Sequence, residues 1–166
     1  MRVVLSLLVL IAGLSCVQAQ SPHIDRLVDV KAGIFTYDKL APSEGKDIST
    51  GSFVEASGIR IKQVTKNIPA ATNTVFGIQF LVVGSPNGAK APITVLWRYP
   101  DPGIKNPDTG ATKFFDEYVS YETIGKVTRF YWTLNDDFVL VPGIWTIELR
   151  QGDQKLLAQE FVLSKP

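Results

Sequence analysis

Apolar side chains recur at every second position along most of this chain. A period of two suits a strand with one buried face and does not suit a helix, whose apolar stripe returns every three to four residues. The clearest case lies near the C-terminus. Pro142-Gly143 predicts a turn, after which Trp145, Ile147 and Leu149 point one way and Thr146, Glu148 and Arg150 the other. Gln151-Gly152-Asp153-Gln154 reads as a hairpin connection in which Gly152 can take a positive φ. Leu157, Phe161 and Leu163 then share one side of the last strand, with Ala158, Glu160 and Val162 opposite. The expectation is a hairpin with Trp145, Ile147 and Leu149 buried and with Glu148 and Arg150 wet.

The same period runs upstream. Val28, Val30, Ala32 and Ile34 alternate with Asp29, Lys31 and Gly33, and Ile59 and Ile61 with Arg60 and Lys62. Phe76, Ile78, Phe80 and Val82 form one face of a third strand, with Val75, Leu81 and Val83 behind them. Two apolar faces predict a central strand. Ile93, Val95, Trp97 and Tyr99 follow the turn at Pro86-Asn87-Gly88, and Thr128, Phe130 and Trp132 follow Gly125-Lys126. Residues 114–123, FFDEYVSYET, fit a helical face through Phe114, Tyr118 and Tyr121, but their Tyr, Val, Ser and Thr content predicts a strand. Ala41 to Phe53 is rich in Pro, Ser, Gly and charge and predicts a long loop, and the three prolines between Pro100 and Gly110 predict another.

About eight short strands need two packed sheets, because one sheet would leave too many large side chains in water. The predicted fold is an all-β, immunoglobulin-like antiparallel β-sandwich occupying residues 20–166 as a single domain.

The first 19 residues have a separate explanation. Arg2 precedes an apolar run from Val3 to Leu14, shorter than the ~20 residues that span a bilayer, and Val17-Gln18-Ala19 suits a signal peptidase. This predicts export, periplasmic or secreted, with cleavage after Ala19; lipid anchoring at Cys16 is the competing outcome. Cys16 is the only cysteine, so a mature chain of about 147 residues has no disulfide and no thiolate. Loss of Arg2 leaves 16 basic residues against 16 acidic ones, a balance that gives nucleic acid no electrostatic hold. No further run of the mature chain is long and apolar enough to span a membrane.

The chemistry available is narrow. His23 is the only histidine and falls in the expected flexible N-terminus, which disfavours a Ser-His-Asp triad or a zinc site. Asp136-Asp137, before an expected Phe138 strand, and Asp116-Glu117 read as solvated turns, since neighbours on a strand face opposite ways. Asp101, Asn106 and Asp108 offer oxygens, but at the spacing of no calcium loop. No cofactor, metal or catalytic residue is expected. What remains is an aromatic concentration between Trp97 and Trp132, from which Trp97, Tyr99, Tyr118 and Tyr131 are the candidate binding residues.

Phe76-Gly77-Ile78-Gln79-Phe80, Trp97-Arg98-Tyr99-Pro100, Leu140 through Leu149 and Leu157-Ala158-Gln159-Glu160-Phe161 together resemble a family of small exported bacterial proteins known as a domain of unknown function. The resemblance covers roughly Val28 to Leu163 and implies export and a β-sandwich. It brings no catalytic residue. The functional expectation is a non-enzymatic binding or accessory module of the bacterial envelope whose partner is a protein or peptide. The alternative is a carbohydrate-binding module stacking a glycan on Trp97 and Tyr99.

Overall fold

A computed structural model of the chain describes residues 21–44 and 52–165. The predicted signal peptide, its cleavage site and Cys16 lie outside the described residues. The strands are β1 His23–Thr36, β2 Lys39–Glu44, β3 Ser52–Ser57, β4 Arg60–Val64, β5 Asn67–Pro69, β6 Thr74–Ser85, β7 Lys90–Arg98, β8 Ile104–Lys105, β9 Thr112–Lys113, β10 Phe115–Thr123, β11 Val127–Leu134, β12 Gly143–Gln151 and β13 Gln154–Ser164. A four-stranded sheet runs β11-β6-β1-β4 and a five-stranded sheet runs β10-β7-β12-β13-β5. All neighbours are antiparallel except β13 and β5. The chain is an immunoglobulin-like β-sandwich.

Alternation explains the core. Phe76, Ile78, Phe80 and Val82 project from β6 toward Ile93, Val95 and Trp97 of β7, Trp145, Ile147 and Leu149 of β12, and Phe161 and Leu163 of β13. The Phe76 ring stands edge-on to Trp97 and Trp145, both at 5.8 Å, and to Phe161 at 5.2 Å. Such edge-to-face contacts suit the ring quadrupoles. Trp145 also donates its Nε1–H to the Val141 carbonyl at 2.8 Å, so its one polar group enters the core satisfied. The turn at Gly152 has φ of 55°.

Several expectations change. The Ala41–Phe53 segment holds a ribbon in which β2 pairs with β3 from Lys39↔Ser57 to Glu44↔Ser52, and only 45–51 lie outside the described residues. Tyr131 anchors that ribbon by accepting the Ala56 N–H at 3.1 Å. At its base Gly58, at φ 61°, leaves room for the Asp38 carboxylate, which takes both guanidinium nitrogens of Arg60. His23 does not precede the fold but begins β1, paired with Ser85. In β1 the register shifts between Val28 and Lys31, around Asp29 at φ 53°, so the Val28–Ile34 alternation breaks and Val30 is exposed. Asp137–Val139 form a single 3-10 turn rather than the start of a strand, and it buries Val139. Glu148 faces outward as expected but is only 9% exposed, covered by Arg150 and by Lys155 Nζ at 2.9 Å.

The candidate edge strand

Of the four edges of the two large sheets among the described residues, β10 is the longest, and it carries acidic residues but no proline, bulge or basic residue. Exposed edges offer unpaired N–H and C=O groups and are ordinarily blunted by shortness, proline, bulges or charged residues, lysine above all. Strand β5 has three residues and ends in Pro69. Strand β4 carries Arg60 and Lys62 and meets its neighbour across a register shift. Strand β11 carries Arg129, and its Tyr131 holds the β2–β3 ribbon. Strand β10 has nine residues, no proline and no basic residue, and pairs with β7 over its whole length without a shift. Its β-branched and aromatic content makes it the strand that composition predicts.

The orientation of its free groups follows from two hydrogen bonds. Tyr99 N–H donates to the Phe114 carbonyl at 2.8 Å, and Ile124 N–H donates to the Ala89 carbonyl at 2.9 Å. Both β10-side residues are even-numbered. In an antiparallel ladder inward-bonding residues alternate with outward ones, so Asp116, Tyr118, Ser120 and Glu122 turn their backbone toward β7. Phe115, Glu117, Val119, Tyr121 and Thr123 turn theirs away from the sheet. The same parity sorts the side chains. Even residues lie opposite Trp97, Val95, Ile93 and Ala91, the core-lining face; odd residues lie opposite Arg98, Leu96, Thr94 and Pro92 on the outer face. Phe115 and Val119 are about half exposed, and Tyr121 is 64% exposed.

The strand is fixed at both ends. Asp116, expected in a solvated turn, is buried at the start of the strand. It accepts the Tyr99 hydroxyl at 2.7 Å and Lys113 Nζ at 3.3 Å. A carboxylate held by a cation and a hydroxyl is stable where a lone one is not. At the other end Glu122 accepts the Ser120 and Thr128 hydroxyls at 2.6 and 2.9 Å, tying β10 to β11. Between them Tyr118 directs its ring inward, and its phenol is pushed up to about 12, chiefly by burial. The Glu122 carboxylate adds to that rise, and a hydrogen bond from Trp97 opposes it.

The four candidate binding residues therefore separate. Trp97 and Tyr99 are core residues, 1% and 7% exposed, and offer no face to a sugar. Tyr99 meets Trp145 at 4.7 Å and Trp132 at 5.3 Å. Tyr131 is half-buried and serves the ribbon, while Tyr118 keeps 38% exposure on β10. The exposed residues on this strand, Phe115, Glu117, Val119 and Tyr121, form one alternating set in the sequence, but which set faces outward is fixed by the register with β7, sixteen residues upstream.

Among the described residues no three His, Cys, Asp or Glu side chains group as metal ligands, and no helix is long and apolar enough to cross a membrane. Asn106 turns its amide oxygen inward to its own loop, accepting the N–H groups of Asp108 at 2.8 Å and Thr109 at 3.3 Å.

The family model of a domain of unknown function, DUF3859, matches residues 25–163. Among curated protein sequences none matches this chain. Among solved structures, an immunoglobulin-like protein from Pseudomonas aeruginosa is similar, with a TM-score of 0.58 at 22% identity, over 87% of this chain and 98% of that one. At that identity the likeness speaks to fold alone.

Proposed function

The chain belongs to the DUF3859 family, and from that premise we propose that it is an exported, non-enzymatic binding module of the bacterial envelope that takes an extended segment of another protein onto β10. The long, unbroken β10 edge, without proline, bulge or basic residue, carries this reading. Phe115, Glu117, Val119 and Tyr121, alternate residues of one strand, turn both N–H and C=O outward, and Thr123 its N–H alone because its carbonyl accepts the Lys126 N–H; strand addition uses such groups for affinity. The exposed side chains of Phe115, Val119 and Tyr121 would supply contacts to alternate residues of the incoming strand. The apolar N-terminal run and Val17-Gln18-Ala19 support export.

Amide hydrogen exchange tests the binding mode by parity. In the free protein the amides of residues 115, 117, 119, 121 and 123 exchange fast, and those of 116, 118, 120 and 122 are slow. A bound partner should slow the odd set. Protection appearing elsewhere, with the odd set still fast, would refute the reading. Val119→Pro is the matching variant: it removes an outward donor and no bond to β7, the one place where an edge strand tolerates proline. A glycan reading would have to move from Trp97 and Tyr99 to the exposed rings of Phe115 and Tyr121. Loss of glycan-array binding on Tyr121→Ala is its test.

A further inference from the structure

The outer face of the five-stranded sheet says what kind of strand fits. In register across three strands, Glu117 of β10 lies beside Leu96 of β7, which lies beside Glu148 of β12. The two carboxylates of that row are treated differently. Glu148 is held by Arg150 and Lys155, and the Lys155 ammonium, then Arg150, keep its carboxyl below the usual range despite burial. Glu117 is exposed, and among the described residues no cation lies within ion-pair distance of it. Its nearest open position is the one directly opposite on the strand that would add to β10. The whole of Phe115–Thr123 carries three acidic residues and no basic one.

We infer that the segment received by β10 is cationic: an antiparallel strand with Lys or Arg facing Glu117 and apolar residues facing Phe115, Val119 and Tyr121. This rests on the edge-addition reading above and narrows it to a partner chemistry. Read from its own N-terminus, the segment is apolar-x-apolar-x-basic-x-apolar, because directly opposed residues share a face and successive ones alternate. A second copy of this chain fits worse. Two-fold pairing about Val119 sets Glu117 against the partner's Tyr121, leaving both carboxylates without a cation and bringing two acidic strands together.

Two nine-residue peptides test this by fluorescence anisotropy at low salt. Both carry Val or Ile at the three apolar positions; one has Lys and the other Glu at the position facing Glu117. Unlike charges across a strand pair stabilise and like charges destabilise by similar amounts, so the Lys peptide should bind about tenfold tighter. Glu117→Lys, a change on an exposed side chain, should reverse the order. The preference should shrink in 0.5 M NaCl as the charges are screened, and Val119→Pro should bind neither peptide. Equal binding of both peptides to the natural chain, still abolished by Val119→Pro, would overturn the charge inference and leave the edge reading standing. No binding of either peptide, or undiminished binding to a folded Val119→Pro protein, would overturn both.

Discussion

Trp145→Ala is the sharpest test of how this sandwich is held. The indole has no exposed surface and lies at the meeting point of both sheets. It contacts Tyr99 at 4.7 Å, Trp132 at 5.5 Å and Phe76 at 5.8 Å, the last pair at 84°. Truncating a buried Trp to Ala costs about 3–5 kcal/mol. Three ring partners, each worth about 0.5–1.5 kcal/mol beyond area, place this site at the upper end. The Val141 carbonyl would also lose its donor, a hydrogen bond worth about 1 kcal/mol net. A loss of about 5 kcal/mol follows, against the roughly 5–15 kcal/mol that holds a typical domain. At about 3–5 °C per kcal/mol for a chain of this size, the Tm should fall by roughly 15–25 °C. Urea unfolding followed by fluorescence of the remaining Trp97 and Trp132 measures it. Trp145→Phe keeps a ring but not the Nε1–H and should lose about 2 kcal/mol. A Trp145→Ala protein within about 1 kcal/mol of the natural chain would refute this account of the core. So would a Trp145→Phe protein as damaged as the alanine variant, since the hydrogen bond and not the packing would then dominate.

Other sites give further expectations. Gly58→Ala should lower the Tm by several degrees: an alanine Cβ would lie on the Asp38 carboxylate at a φ of 61°, displacing the Arg60 pair that closes the β2–β3 ribbon. Tyr118 should remain protonated at pH 11, seen as a missing phenolate in the 295 nm titration; because its phenol ionises more readily unfolded, its share of stability falls as pH rises from about 10 to about 12, and Tyr118→Phe should flatten that decline. Glu148, held below the usual range by Lys155 and Arg150, stabilises above the ordinary Glu pKa and loses that contribution as pH falls through its lowered value; Glu148→Gln should shrink the acid-side loss of Tm. Asp116→Ala should cost about 2 kcal/mol in urea unfolding, since it removes the acceptor of the buried Tyr99 hydroxyl and of Lys113.

Where structure is set by neighbours along the chain, the sequence was legible. The β12–β13 hairpin follows alternation and one glycine: its turn and its faces, with Trp145, Ile147 and Leu149 buried, came out as the period predicts, while the burial of Glu148 did not. Trp97 and Tyr99 shared that period with Ile93 and Val95, which should have marked them as core rather than as a binding surface. What was hidden depends on contacts far apart in sequence. The Ala41–Phe53 composition conceals a ribbon secured by Tyr131, some seventy-five residues on. The bulge at Asp29 breaks an alternation that looks regular in print. Glu148 lies on the face that alternation assigns, yet the length of Arg150 and Lys155 lets them cover it. The β10 edge was foreseen as a strand but not as an edge, because strand order in a sheet is fixed by pairing that a single run of residues does not encode.

The placement of β13 has a consequence for how the molecule comes into being. It follows every other described strand along the chain, yet it sits one place inside the five-stranded sheet, between β12 and the parallel β5. Ile68 must wait for Leu163, a closure across on the order of a hundred residues. The four-stranded sheet needs nothing beyond Leu134 and can assemble while the rest is still emerging. At that point β7 and β10 are present but β12 and β13 are not, so the cover over Phe76, Ile78 and Phe80 is incomplete until β12 and β13 add to it. β13 completes that cover, so a chain truncated before Gln154 should aggregate more readily than the natural one.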